Sequence, residues 1–450
     1  MLSSLTAFLI SVLCAALFTP LVRIFAHRVG AVDTPGGRRV NERAIPRMGG
    51  LAVAAAFFVP FIALFLLDTG VARVFFAEPS HAAGLVFGGL LVCGLGALDD
   101  LRGVRAWHKL AVQIAAALVA FYCGYRIDAV NLPGMGILQM GIFAAPVTVL
   151  WIVAIINALN LIDGLDGLAA GIAFFACVTN FVVAVIGHND LVMLLAASLG
   201  GAVLGFLVYN FNPASIFMGD SGSMFLGYVL ATMSLLGSAI KSSTTVAILV
   251  PLVALGVPIM DTLLAMARRF LERRPIFSPD RGHIHHRLLE LGLTHRRAVL
   301  ILYGFSVVFT VGAITLALGR NWQVGGAIIV LSIVFVGLIR LAGNLDFSRL
   351  LGVPKFNEQS GHSLPQAVLD YVEELMHASS SEEIHRVLHH AKEQLSLDNL
   401  RKTAARTSVI PVQSPERTFA LALLDALSAK RLQALDVSGT KQRKTLGTTH

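Results

Sequence analysis

Residues 151–186 read WIVAIINALNLIDGLDGLAAGIAFFACVTNFVVAVI. Two apolar runs, 141–158 and 168–186, flank a polar interruption that carries Asn157, Asn160, Asp163 and Asp166. A helix needs about 20 mainly apolar residues to cross a bilayer, and both runs approach that length. Asp-Gly repeats form turns, yet two amides and two acids between two spans exceed what a turn requires. The stretch reads as two membrane helices with chemistry at the face where they meet.

Working outward, the same apolar signal recurs at 5–22, 49–67, 82–98, 107–122, 191–209, 224–239, 246–266, 298–318 and 324–341. The expected fold is therefore an all-α polytopic membrane protein with about eleven transmembrane helices. The composition agrees: 56% of residues are hydrophobic and 14% charged, against about 25% charged in soluble domains, and mean hydropathy is +0.74. That excludes an ordinary soluble enzyme and a disordered chain. The net charge of +8 reads as cytoplasmic loops and contacts with anionic headgroups or phosphates, with no nucleic-acid partner. Cys14, Cys93, Cys123 and Cys177 lie in or beside apolar runs without CxxC spacing, as small core residues do.

Arginines sort the loops. Arg23, Arg28, Arg38, Arg39, Arg43 and Arg47 lie between the first two runs, and Arg102, Arg105 and Lys109 follow the third. A long basic loop from Arg268 to Arg297 follows the ninth. The alternate loops carry only scattered cations, such as Arg73, Arg126, Lys241 and Arg320. Positive charge stays inside, so the N-terminus is expected outside (periplasmic, where the membrane is a bacterial inner one) and the C-terminus in the cytoplasm of a multi-pass membrane protein. Arg23, His27 and Arg28 after the first run read as the flank of an uncleaved span. Residues 1–345 form the expected transmembrane domain. Residues 346–450 form a polar cytoplasmic tail with helical signatures at Ser363–Pro365 and at the Ser380/Glu383 capping box, ending in a stretch disordered by composition.

The acids and amides fall in the arginine-bearing loops. Asp99 and Asp100 end the third run, Asn210, Asn212 and Asp220 follow the seventh, and Asp261 lies toward the inner end of the ninth. His283, His285 and His286 stand in the basic loop beside Arg281. Carboxylates gathered on one face among arginines suit a divalent cation that holds an anionic substrate. Each cluster also has a bland reading. Asp99-Asp100 could cap a helix, and the arginines could be topology signal alone. GDSGS at 219–223 shares a string with serine-protease nucleophile motifs, but no β-barrel pattern accompanies it. Its glycines suit close helix packing or backbone approach to a phosphate. A zinc site on the histidines would lack cysteine partners, and contact with phosphate or sugar oxygens is preferred.

Asp99-Asp100 with Lys109-Leu110 and Gln113, then NALNLIDGLDGLAAG, FNPASIFMGDSGSMFLG, PIMDTL and GHIHHRL, follow one another in the chain. In this order they resemble the polyprenyl-phosphate N-acetylhexosamine-1-phosphate transferases of glycosyltransferase family 4, over about the first three quarters of the chain. The HIHH form is similar to the branch that makes undecaprenyl-diphospho-GlcNAc; the phospho-MurNAc-pentapeptide branch usually carries three consecutive histidines. Asp33, Pro35, Arg38, Arg39, Pro46 and Gly49-Gly50 also resemble the family. Asn41, where this branch often has histidine, and the long tail depart from it.

The resemblance implies transfer of N-acetylhexosamine-1-phosphate, with GlcNAc expected, from the UDP-sugar to undecaprenyl phosphate, releasing UMP. It implies Mg²⁺, with Mn²⁺ as a substitute, on Asn160 and Asp220. It implies Asp99 as the group that deprotonates or orients the lipid phosphate, with Asp100 beside it, and Lys109 offsetting charge. Asp163 and Asp166 would fix the nucleotide or the lysine. Asn157, Arg281, His283, His285 and His286 join the substrate-binding set. Homodimers fit the family, though no residue pattern here reveals one. The rivals are the same reaction with another UDP-N-acetylhexosamine and, from another class, a multi-span transporter. The latter expects charges near the midplane of broken helices rather than at span ends.

Overall fold

A computed structural model of the chain describes residues 2–33, 44–66, 78–132, 136–238, 245–271, 282–319 and 321–341, and a few isolated positions beyond. Arg281, Pro35, Arg38, Arg39, Asn41 and the helical signatures of the tail lie outside the described residues. The chain divides into two units, Met1–Leu345 and Asp346–His450. Every helix and strand with defined bounds among the described residues belongs to the first.

The described residues form helices α1 (Leu2–Val29), α2 (Gly49–Leu66), α3 (Pro79–Arg102), α4 (Ala106–Tyr122), α5 (Ala144–Ile162), α6 (Leu168–Ile186) and α7 (Asp190–Asn210). They continue with α8 (Gly219–Ser238), α9 (Thr245–Ala254), α10 (Gly256–Leu271), α11 (Ile284–Glu290), α12 (His295–Leu318) and α13 (Asn321–Leu341). Seven of these helices are long and apolar enough to cross a membrane. The chain is a polytopic membrane protein, and its described residues are almost entirely helical.

Two features differ from the sequence expectation. The run 246–266 is broken into α9 and α10 at Leu255. Pro258 accounts for it: proline lacks an N–H and its ring collides with the carbonyl four residues back, and α9 ends at Ala254. The all-α expectation also missed two small antiparallel pairs. One is β1 (Val32–Asp33) with β2 (Ile45–Pro46), and the other is β3 (Ala129–Leu132) with β4 (Gly136–Gln139).

Packing follows membrane rules rather than soluble ones. On α1 the large residues face outward, with Leu5, Leu9, Leu13, Leu17 and Leu21 exposed, while Ser4, Ala7, Ser11, Ala15 and Thr19 are buried. Lipid tails are as apolar as leucine, so helices gain by bringing small residues and backbones together. Gly201 and Gly205 of α7 meet this face; a side chain at either would strike the carbonyl of Phe8 or Val12. The core centres on α7, α8, the C-terminal half of α5 and the N-terminal half of α6, with Ile152, Ile156, Leu159, Ile172, Leu199, Phe206, Phe225 and Tyr228 buried.

A second glycine contact positions the site. Gly50, in the first turn of α2, lies against the backbone of Ser221 and Gly222 in the first turn of α8, leaving no room for a Cβ. Backbone hydrogen bonds reinforce it: Phe217 N donates to Pro46 O, Gly49 N to Phe217 O and Gly50 N to Met218 O, all at 2.8–2.9 Å. Of the two expectations for the GDSGS glycines, helix packing is the one realised at Gly222.

Candidate active site

The turn of α3 into α4 presents the first group. Asp99, in the last turn of α3, accepts from Val104 N through Oδ1 at 2.6 Å, which orients the carboxylate. Lys109, one turn into α4, donates from Nζ to Asp99 Oδ2 at 2.7 Å and to Asp220 Oδ2 at 2.6 Å. Asp220 opens α8. The three side chains are 16–26% exposed, so the trio is packed on one side and open on the other.

Asp100 faces the other way. Its Oδ1 accepts from Asp220 N at 2.9 Å and its Oδ2 from Ser221 N at 3.1 Å. The first amides of a helix have no partner inside it, and here a carboxylate from α3 satisfies two of α8's. Gly219, at φ +72°, passes so close to Asp100 that a side chain would lie 2.5 Å from Oδ2. The positive φ and the missing space both demand glycine. Asp100 therefore fixes the helix end that carries Asp220.

The end of α5 supplies the amides. Asn157 Nδ2 donates to Gln113 Oε1 and to Val153 O, both at 2.8 Å. Asn160 Nδ2 donates to Ser223 Oγ at 3.0 Å, which ties α5 to the turn bearing Asp220. With its nitrogen so engaged, Asn160 keeps Oδ1 as the atom that can ligate or accept. Asp166 Oδ2 accepts from Asn212 Nδ2 at 2.9 Å and Ala214 N at 3.0 Å, bracing the loop that leads into α8. The lysine is thus held by Asp99 and Asp220, not by Asp163 or Asp166. Asp163, half-buried at the end of α5, has its carboxyl pushed well above the ordinary carboxylate range by burial, and next by the charges of Asp220, Asp100 and Asp166.

The histidine segment reaches the same turn. Asp261 of α10 accepts from Ile284 N through Oδ1 at 2.8 Å, and its Oδ2 lies 3.0 Å from His283 Nδ1. The rings of His283 and His285 are stacked 5.6 Å apart, and His286 follows at 4.3 Å from His285. The His285 ring rests on Gly164, between Asp163 and Leu165, so closely that a Cβ there would collide with Nε2. Burial pushes His285 down to about 3, partly opposed by Asp261 and aided by His286, His283 and His295. The ring is neutral at physiological pH. Arg268 Nη1 donates to Gly282 O at 2.6 Å and anchors the start of the segment.

A family model described as "Glycosyl transferase family 4" matches residues 82–238, the stretch from α3 to the end of α8. The chain is 40% identical over 340 residues to the "Probable undecaprenyl-phosphate N-acetylglucosaminyl 1-phosphate transferase" of Bacillus subtilis (strain 168), covering 75% of this chain and 92% of that one. The chain belongs to glycosyl transferase family 4. Within this family of polyprenyl-phosphate hexosamine-1-phosphate transferases, it is also 36% identical over 343 residues to the "Decaprenyl-phosphate N-acetylglucosaminephosphotransferase" of Mycolicibacterium smegmatis (70% of this chain, 83% of that one). Identity to the "Phospho-N-acetylmuramoyl-pentapeptide-transferase" of Clostridioides difficile (strain 630) is 31% over 327 residues (68% and 94%).

Of the residues singled out from the sequence of this family 4 protein, Asp99, Lys109 and Asp220 are in direct contact. Asp100, Asn160 and Asp163 surround them, and His283 and His285 arrive through Asp261 and Gly164. Asp261 was visible as a lone acid in an apolar run, the signal of a functional intramembrane charge, but was not placed among the site residues. Gly50 and Gly222 carried no local signal for their partnership.

Proposed function

We propose that this family 4 protein transfers GlcNAc-1-phosphate from UDP-GlcNAc to undecaprenyl phosphate at the cytoplasmic membrane face, releasing UMP. The lipid phosphate attacks the sugar-bearing phosphorus and the bond to UMP breaks. The observation that carries the reading is the Lys109 ammonium shared between Asp99 and Asp220 at the open side of the helix bundle. Phosphoryl transfer depends on positioning and charge neutralisation, and this trio offers both. The relatives at 40% and 36% identity are both named for N-acetylglucosamine, which supports that hexosamine, while those near 30% include transferases of both kinds. The arginines of alternate loops support about eleven crossings, with the N-terminus outside and α9–α10 as one interrupted crossing.

Among the described residues, no set of three or more histidine, cysteine, aspartate or glutamate side chains is arranged as a metal cage. The donor set fits Mg²⁺ all the same, because that ion keeps waters and takes one or two carboxylates plus phosphate oxygens in nucleotide sites. Asp220 and Asn160 Oδ1 would hold it, and Mn²⁺ would substitute. Asp163 is raised by burial and next by the charges of Asp220, Asp100 and Asp166, and a divalent cation would relieve the second of these. Bound there, the ion neutralises diphosphate oxygens.

The protein's own groups do the rest. Asp99, aimed by Val104 N, orients the lipid phosphate. A phosphate monoester loses its second proton near pH 6, so a strong base is hardly needed at neutral pH. Lys109 turns its charge from the carboxylates to the phosphates. Asp100 and Asp166 hold the backbone that presents Asp220. His283 and His285 face the donor. The test is UMP release by purified protein with undecaprenyl phosphate, Mg²⁺ and a panel of UDP-N-acetylhexosamines. Release with UDP-GlcNAc is expected. Release with another hexosamine alone would change the donor, and silence from folded protein would return the transporter reading.

A further inference from the structure

Asp261 is 1% exposed, and a buried carboxylate persists only where hydrogen bonds compensate it. Its oxygens divide that work between a backbone amide and an imidazole. Oδ1 takes Ile284 N, the opening of α11, for which His283 makes no cap bond of its own. Oδ2 takes His283 Nδ1. An ionised carboxylate has no proton to give, so the hydrogen in that contact belongs to Nδ1. In a neutral imidazole the other nitrogen, Nε2, then carries a lone pair and can only accept. His285 extends the arrangement: its buried Nδ1 has no hydrogen-bond partner among the described residues, lies 3.9 Å from the same Oδ2, and its ring is stacked on that of His283.

We propose that Asp261 is a positioning residue for donor recognition: it fixes His283 as the Nδ1–H tautomer, so that Nε2 accepts a hydrogen bond from a neutral N–H or O–H group of the hexosamine. A lone pair is a poor partner for a phosphate oxygen and a good one for a hydroxyl or an acetamido N–H. Recognition is thereby divided. Lys109 serves the phosphates, and the histidine segment, seated on the turn at Gly164, serves the sugar. The inference rests on the proposed function, in which the histidines face the donor.

Asp261→Asn tests it, because the change is isosteric. Asparagine Oδ1 still accepts from Ile284 N, so the cap of α11 survives. Its Nδ2 now donates toward His283 Nδ1 and drives the proton to Nε2. The variant should unfold close to the wild-type temperature, with KM for UDP-GlcNAc raised about 10- to 100-fold and KM for undecaprenyl phosphate unchanged. Since Asp261 acts through His283, the double variant with His283→Ala should be no worse than His283→Ala alone. An unchanged donor KM, equal losses for both substrates, or additive penalties would each overturn the proposal. A donor KM within twofold of wild type in His283→Ala would also overturn it, however Asp261→Asn folds. Wild-type protein that releases no UMP from UDP-GlcNAc would remove the donor reading and this inference with it. An active wild type beside an unaffected Asp261→Asn removes the inference alone.

Discussion

The Asp99–Lys109–Asp220 floor and the Asp261–His283–His285 wall are built with the same device and differ in exposure and in the group that balances the acid. In each, an acid from one helix seats itself on the first amides of another: Asp100 on Asp220 N and Ser221 N, Asp261 on Ile284 N. The floor is partly open, crowded with carboxylates and balanced by one ammonium, and Asp163 beside it is raised by burial and next by the neighbouring carboxylates. The wall is buried and its second imidazole is held neutral. In the proposed function, the charged, open floor exchanges the lysine for substrate and metal. The buried imidazoles of the wall, in the proposed reading, accept hydrogen bonds without competing for the phosphates. On that reading, the same capping geometry serves charge handling in one place and recognition in the other.

The hardest test of this contrast is removal of charge from the floor. Asp220→Asn should lower kcat by about 10²- to 10³-fold, the scale for losing one preorganised electrostatic contact, in protein that still inserts and unfolds cooperatively. Titration with Mg²⁺ should raise the unfolding temperature of the wild type, as any ligand selective for the native state does, and leave that of Asp220→Asn nearly unmoved. Equal responses would take the divalent cation away from Asp220.

Smaller effects probe how the floor is held. Gly50→Ala places a methyl into the backbone of α8, and overpacking of this kind costs about 1–3 kcal/mol. A lowered unfolding temperature with reduced turnover is expected, whereas neutrality would show that the α2–α8 contact does not position Asp220. Asp100→Ala uncaps α8 and should cost about 1 kcal/mol. Asp100→Asn keeps one acceptor and should cost less, with activity following stability in the same order.

The smallest effects separate the two regions by the sign of their pH response. His285 ordinarily titrates near 6.5 and is held at about 3 in the fold. Below pH 6.5 the unfolded chain takes up a proton that the folded chain refuses, so this group removes stability as pH falls toward 3. Asp163 is shifted the other way. The folded chain protonates it first, so its penalty is present at neutral pH and is relieved on acidification. Between pH 7 and 5, His285→Asn should lose less unfolding temperature than wild type. Asp163→Asn should be more stable than wild type at pH 7 in EDTA while losing activity. Parallel pH slopes in the two variants would erase the electrostatic distinction between floor and wall.

Much of the fold was legible because hydropathy is a local sum: about 20 successive residues decide whether a helix can span, whatever lies beside it. The runs at 141–158 and 168–186, the polar turn between them and the acids of Asp99–Asp100 and Asp220 were visible on that basis. The break of 246–266 was carried by Pro258 but masked by an otherwise unbroken apolar run. The strand pairs at Val32–Asp33 and Ala129–Leu132 are too short to leave a periodicity.

By itself, then, the sequence determined a polytopic helical protein with most of its acids and histidines toward span ends and in loops, since burial in lipid penalises charge elsewhere. Only the tertiary structure decided their pairing. Lys109 reaches Asp99 across 10 residues and Asp220 across 111, and Asp261 meets His283 across 22. Those meetings depend on which helices adjoin and how closely. Closeness is set by glycines such as Gly50, Gly164 and Gly222, whose partners lie far along the chain. A missing side chain leaves no mark in local hydropathy, so contact geometry, not composition, chose Asp100 to hold the helix and Asp220 to meet the lysine.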